Sequence, residues 1–219
     1  MASLAFGVSS QDSCHFSAPT SPSSSSSSSS STVQICDVAT WEMLNITVLD
    51  PVPPMPHVDP SKKDAVLLYI PRRVRVGGEE KDFTLKVLKE TSGGPFDCFD
   101  EKVEEQFGDT MAPGWVLIDK EVLPGSRNQT YEIQKRMVEA RGCSMPSVLE
   151  AVALNLMVFA STGERLYGEK PCTYTRCIEK VDDQYPILVG CFRANGLNVG
   201  RYFRDTIDFG VACVQRNFS

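Results

Sequence analysis

The sequence predicts an α+β fold in which a small, mainly antiparallel sheet carries two helices. The apolar run Trp115-Val116-Leu117-Ile118 opens the segment 113–219 and Gly210-Val211-Ala212-Cys213-Val214 closes it. Short buried strands at both ends of one segment are expected to pair in one sheet. Between them, apolar residues recur at helical spacing over 130–140 and over 146–159, so the domain encloses helices between strands that meet. A third observation sets the fold's N-terminal limit. Residues 1–32 are nearly all small or polar and include nine consecutive serines from Ser23 to Ser31. Such a stretch buries too little apolar surface to offset its ordering entropy and reads as a disordered arm.

Residues 33–60 read as a proline-rich linker with one short element. The part around Trp41 suits a short helix or an edge strand. Four prolines among Pro51-Val52-Pro53-Pro54-Met55-Pro56 forbid helix and favour extended chain, separating 33–49 from the remainder of the chain. Residues 61–112 read as a small β-rich extension. Ala65-Val66-Leu67-Leu68-Tyr69-Ile70-Pro71 is a strand stopped by proline, and Val74 and Val76 alternate up to a Gly77-Gly78 turn. Residues 83–88 continue as a second strand or a short helix, making an N-terminal β-hairpin that extends the C-terminal sheet. Phe96, Phe99, Val103 and Phe107 stand at helical spacing and are expected in the core.

The α+β domain proper is expected over 113–219. Thr130 caps a helix over 130–140 whose stripe is Ile133, Met137 and Val138, closed by Gly142. Pro146 suits the first turn of a second helix, with Ser144 or Met145 near its cap, running through Val148, Leu149, Val152, Leu156 and Phe159 to Gly163. That helix is apolar on most faces and should be central. Residues 168–185 look polar and turn-rich, 186–192 form a buried strand, 193–208 form a surface loop, and 207–214 return as the last strand.

A formal charge of −6 argues against nucleic acid or anionic membrane as partners. Arg72-Arg73-Val74-Arg75 is the one dense basic cluster, and its alternation fits a solvated strand face. No apolar run approaches the roughly 20 residues of a transmembrane span. Residues 148–160, the nearest candidate, are too short. The patch Leu4-Ala5-Phe6-Gly7-Val8 lacks a preceding Lys or Arg and makes a poor Sec signal. The chain is therefore expected in the cytoplasm or exported by a route without such a signal, for which a serine-rich start is suited. Eight cysteines, at 14, 36, 98, 143, 172, 177, 191 and 213, are too sparse for a disulfide scaffold and are expected mostly reduced. Sequons at Asn45, Asn128 and Asn217 matter only in a secretory lumen.

Cys143-Ser144-Met145-Pro146-Ser147-Val148-Leu149-Glu150-Ala151 looks like the x-L-P-T-x-x-E-W/L entry to the second helix of certain bacterial domains. Val189-Gly190-Cys191-Phe192 and Phe209-Gly210-Val211-Ala212-Cys213-Val214 stand where those domains carry their G-G-S-W/F and G-F-R-C/V-V strands. Those domains have the C-type lectin-like fold, which residues 113–219 thus resemble and which also serves sulfatase-modifying factors and ligand-binding modules. Phrases at residues 115–127 (WVL…D…VLPGSR), 162–167 (TGERLY) and 173–177 (TYTRC) further resemble uncharacterised proteins of chlamydia-like intracellular bacteria. The second resemblance brings no activity, but it implies a bacterial protein exported into a host.

Catalytic chemistry finds little support. His15 lies in the serine arm and His57 in the proline segment, so neither is placed as a general base. Cys172 and Cys177 have the spacing of the copper-binding pair of sulfatase-modifying factors, but they precede the strand that this pair should follow. With Cys191 and Cys213 they are the candidates for a tetrahedral thiolate site. No cofactor is expected. Glu179-Lys180-Val181-Asp182-Asp183-Gln184 is acidic but lacks the Glu-Pro-Asn and Trp-Asn-Asp signatures of lectin calcium sites, and reads as a solvated turn. Arg193, Asn195, Asn198, Arg201, Tyr202, Phe203 and Arg204 have the composition of a recognition surface, with aromatic contact area beside directed hydrogen-bond donors. The leading expectation is a non-enzymatic module binding a protein or glycan through the 193–208 loop. The competing one is a metal-dependent thiol oxidoreductase using Cys172 and Cys177.

Overall fold

A computed structural model describes residues 33–91, 96–168, 170–202 and 208–218. The chain enters through strand β1 (Gln34–Cys36), helix α1 (Val38–Glu42) and strand β2 (Thr47–Val48). Strand β3 (Ala65–Ile70), the hairpin β4 (Arg73–Val76) and β5 (Glu79–Asp82), helix α2 (Leu85–Thr91), strand β6 (Phe96–Phe99) and helix α3 (Glu101–Phe107) come next. The C-terminal part holds β7 (Gly114–Asp119), α4 (Tyr131–Glu139), α5 (Val148–Thr162), β8 (Tyr174–Val181), β9 (Tyr185–Arg193), β10 (Gly196–Arg201), β11 (Phe209–Gly210) and β12 (Val214–Gln215). The class is α+β, as the sequence predicts.

Helix α5 organises the interior. Eleven consecutive residues, Val148 to Val158, are buried, which matches its nearly uniform apolar sequence. Its start lies at least two residues later than expected, beyond Ser144 and Met145. Ser147 is the cap, its hydroxyl accepting from the Glu150 N–H at 3.2 Å, while the Glu150 carboxylate accepts from the Ser147 N–H at 2.6 Å. This reciprocal arrangement is the capping box that Ser147-Val148-Leu149-Glu150 encodes, and Pro146 precedes it. Gly163, in left-handed conformation at φ 75°, ends the helix.

Two sheets pack against α5. One has the order β1-β3-β7-β12 and the other β11-β8-β9-β10-β6, while β2-β4-β5 makes a small third sheet. Most pairings are antiparallel; β1 with β3, β6 with β10 and β8 with β11 are parallel. The expected closure of the C-terminal segment is present, since Val214 and Gln215 pair with Ile118 and Leu117. The last strand, however, is split. Phe209–Gly210 joins one sheet and Val214–Gln215 the other, so residues 211–213 bridge the two.

Several sequence expectations change. Residues 33–49 are not separated from the rest: β1 lies parallel to β3, and Trp41 is fully buried with its indole N–H donating to the Tyr69 carbonyl at 2.7 Å. The extension over 61–112 is likewise built into the core, with β3 held between β1 and β7. The hairpin's second strand is the all-charged β5, and residues 85–91 are helix. Glu80 explains β5, because its carboxylate pairs with Arg73 and Arg75 across the strand at 3.0 and 2.6 Å, confirming the solvated face. Phe96 and Phe99 belong to β6, and the helix starts only after Asp100 caps it. Strand β8 occupies much of the stretch read as turns, and β10 most of the described part of the stretch read as a loop. On α4, Gln134 and Val138 face inward while Ile133 is exposed. No helix among the described residues is long and apolar enough to cross a membrane.

A carboxylate cluster sits at the N-terminus of α5. Arg216 clasps Glu150, its Nε 2.7 Å from Oε1, and also donates to the Met145 carbonyl at 3.3 Å. Glu179 accepts from the Val148 N–H at 3.0 Å. Burial pushes the Glu179 carboxyl from 4.5 up to about 7, its own and the Val148 backbone hydrogen bonds opposing this, with Glu150 adding to the rise and Arg216 opposing it. A carboxyl that is harder to ionise folded than unfolded costs stability wherever it must be charged. The cost is complete above about pH 7, shrinks as pH falls, and vanishes near the unfolded value of 4.5. Glu179→Gln keeps an acceptor for Val148 without the charge. It is expected to be more stable than the parent at pH 8, by at most about 3 kcal/mol, with the gap closing by about pH 5 in denaturant melts at both pH values.

Candidate binding site

The residues expected to form a recognition loop are largely engaged within the fold. Arg193 ends β9 on the surface, and Asn195 lies in the tight connection to β10. The Asn195 amide donates to Asp97; that of Asn198 donates to Asp97 at 3.4 Å and to the Cys191 carbonyl at 3.2 Å. Arg201 donates from Nε to Asp100 at 3.1 Å and approaches Asp182 at 3.9 Å. These contacts fasten β6 and the start of α3 to the sheet. Tyr202 remains 47% exposed and meets Phe209 edge-on at 5.4 Å. Phe203 and Arg204 lie outside the described residues.

The four candidate cysteines do not converge. Cys172 is bonded to Cys191 across 19 residues, with Cα atoms 5.1 Å apart. Cys177 is fully buried in β8, where desolvation drives its thiol well above the ordinary range, and Cys213 lies elsewhere, its thiol pushed up to about 12 chiefly by burial. Among the described residues no group of three or more His, Cys, Asp or Glu side chains is placed to hold a metal ion. Cys172 is thus engaged with Cys191 and is not joined to Cys177. The other described cysteines, at 36, 98, 143, 177 and 213, carry no disulfide in the structure.

Three of the sequence phrases meet at one place. The segment 120–127 leaves β7, residues 167–168 come after α5, and 170–173 leads into β8; together they line a cavity of about 450 Å³. Lys120, Arg127 and Lys170 line it, with Glu121 as the carboxylate among its lining residues. Tyr167 and Thr173 form its inner wall, both buried. The Tyr167 hydroxyl donates to the Asp119 carbonyl at 3.1 Å, and the Phe192 N–H donates to the Tyr167 carbonyl. Arg127 is oriented by two hydrogen bonds, to the Thr173 hydroxyl at 2.6 Å and the Asp208 carbonyl at 3.4 Å.

A buried polar bracket holds the rim. Gln134, fully buried on α4, donates from its amide to the carbonyls of Ser126 at 2.7 Å and Phe209 at 3.0 Å, and accepts from Arg176 at 3.2 Å. Arg176, 1% exposed, also reaches the Gln129 carbonyl at 2.9 Å and lies over the Phe209 ring. Ser126, equally buried, accepts from the Val211 N–H at 3.2 Å. Polar groups buried at this density persist when each finds partners, and together they fix residues 126–129 against β8. Next to Thr173 in the chain, Tyr174 meets Phe209 edge to face at 5.6 Å, and Phe209 meets Tyr202 likewise at 5.4 Å.

Sequence reasoning singles out the phrases but not Lys120, Arg127, Lys170 and Thr173 as a group. Gln134 is the signal that could have found them, a polar side chain one turn from Val138 on the inward stripe. Comparison with known proteins finds no match: no family model, no curated protein and no solved structure.

Proposed function

We propose that this chain is a non-enzymatic recognition module that takes an anionic group of a protein or glycan partner into the cavity of Lys120, Arg127 and Lys170. The observation that carries the proposal is the charge of that cavity: three cations and one carboxylate line it in a chain whose net charge is −6. A concave site with fixed walls and like-signed donors attracts and orients an anion, and charge-assisted hydrogen bonds are stronger than neutral ones. The exposed Tyr202, within the expected recognition segment 193–208, offers aromatic contact area to the same partner. The C-type lectin-like reading belongs to the same proposal. It is supported by the order of β7, α4, α5 and the closing strand pairing, together with the Pro146–Glu150 helix entry. Export from a chlamydia-like bacterium, supported by the serine arm and the three phrases, would make the partner a host molecule.

The test is titration of isotope-labelled protein with inorganic phosphate and with a sulfated disaccharide, monitored by NMR. Chemical-shift changes are expected to centre on residues 120–127 and 167–173, and Lys120→Gln combined with Lys170→Gln is expected to weaken binding about tenfold or more. Shifts confined to other surfaces, or equal binding by the folded double variant, would sink the reading.

A further inference from the structure

A second pair of cysteines meets outside the candidate site. Ser144 and Val214 form an antiparallel bridge with reciprocal hydrogen bonds of 2.9 Å, which places Cys143 and Cys213, each one residue before a bridge partner, on the same face of that pairing as diagonal neighbours. Cys143 packs against the cluster of Leu123, Val138, Met145, Val211 and Cys213, and its proximity helps to raise the Cys213 thiol. Cys213 is 5% exposed, whereas Cys143 is partly open to solvent. Asp119 anchors the backbone of Cys213, its N–H donating to the Cys213 carbonyl at 3.1 Å. The turn that carries Cys143 can adjust: Arg141 and Gly142 are exposed, and Gly142 is in left-handed conformation at φ 68°.

We propose that Cys143 and Cys213 are a modification site, closed to a second disulfide by exchange with a low-molecular-weight disulfide such as oxidised glutathione. The Cys143 sulfur, as thiolate, attacks one glutathione sulfur, the glutathione S–S bond breaks, and glutathione thiolate leaves with its electron pair. The Cys213 sulfur, after losing its proton, attacks the Cys143 sulfur of the mixed disulfide and expels the second glutathione thiolate. Two protein thiols are oxidised, one glutathione disulfide is reduced to two thiols, and the protons pass from the cysteines to the two leaving thiolates. The order is set by access, because thiolate attack needs an approachable sulfur and Cys143 is the open one. Burial, which pushes the Cys213 thiol to about 12, keeps it from competing for the first step. The bond would tie the connection between α4 and α5 to the chain between the two sheets, a span of 70 residues from 143 to 213.

The experiment uses the full chain with Cys172 and Cys191 oxidised and Cys98, which is exposed, replaced by serine. The protein is incubated with oxidised glutathione, its remaining thiols are alkylated, and its peptides are mapped by mass spectrometry. A cross-linked Cys143–Cys213 peptide is expected, with a Tm raised by about 5 °C or more. Cys213→Ser should stop at a glutathione adduct on Cys143, and Cys143→Ser should leave Cys213 unmodified. A parent protein that accumulates the Cys143 adduct with Cys213 still free, or that consumes neither thiol, would overturn the proposal.

Discussion

Replacing Trp41 by alanine is expected to lower the stability of the protein by about 4 kcal/mol. Trp41 is fully buried, although it comes from a short N-terminal helix that sequence reasoning sets apart from the core. Its ring meets Phe83 edge-on at 4.9 Å, and its N–H satisfies the Tyr69 carbonyl on β3. Alanine therefore opens a large cavity and leaves a buried carbonyl short of a partner, two costs that add. Trp41→Phe separates them, since it keeps most of the ring and loses the donor; it should cost about 1 to 2 kcal/mol less than alanine. Chemical denaturation of the three proteins decides the matter. A cost for Trp41→Ala below about 1 kcal/mol would mean that residues 33–49 are not part of the folded core.

The contrast between Trp41 and helix α5 shows which parts of the fold are readable in the sequence. Helix α5 declares itself locally through a long apolar run, a capping serine and glutamate, and a closing glycine, all within the element. Trp41 declares nothing locally, because α1 has five residues and its role depends on Tyr69 and Phe83, far along the chain. The same holds for β5. Its Glu79-Glu80-Lys81-Asp82 has no strand propensity, and pairing with β4 across the Gly77-Gly78 turn specifies it. Strands β8 and β10 are hidden for another reason. In β8 the buried positions include Thr175 and Arg176, and in β10 glycine and asparagine interrupt the apolar residues, so neither shows clean alternation.

The candidate site is half readable by the same logic. The phrases at 115–127, 162–167 and 173–177 can be singled out as strings, but their meeting depends on the pairing of β8 with β9 and on Gln134 reaching from α4. Buried arginine and glutamine look in sequence like surface residues. The disulfide partner of Cys172 is equally hidden: Cys177 is nearer in sequence, but β8 carries it into the core while the hairpin returns Cys191 to Cys172.

Gly190→Ala is expected to damage both stability and binding, because β9 passes β8 there with no room for a methyl group. A Cβ at this position would stand 2.2 Å from the Thr173 carbonyl oxygen and 2.7 Å from the Tyr174 Cα. Both are backbone atoms, so relief requires moving a strand rather than turning a side chain. The next residue, Cys191, donates its N–H to that same Thr173 carbonyl at 2.7 Å and is bonded through sulfur to Cys172. Strand displacement therefore pulls on the wall that holds Thr173, whose hydroxyl orients Arg127. A loss on the order of 3 kcal/mol is expected. Weaker phosphate binding should accompany it at temperatures where the variant remains folded. Gly200→Ala, on the neighbouring strand β10, is the control, since a Cβ at that position meets nothing within 4 Å, and it should leave both quantities nearly unchanged. If Gly190→Ala matches Gly200→Ala in denaturation midpoint, the two strands are farther apart than the structure places them. If it loses stability yet binds phosphate as tightly as the parent, the Thr173 wall does not control the cavity, and the cations alone define the site.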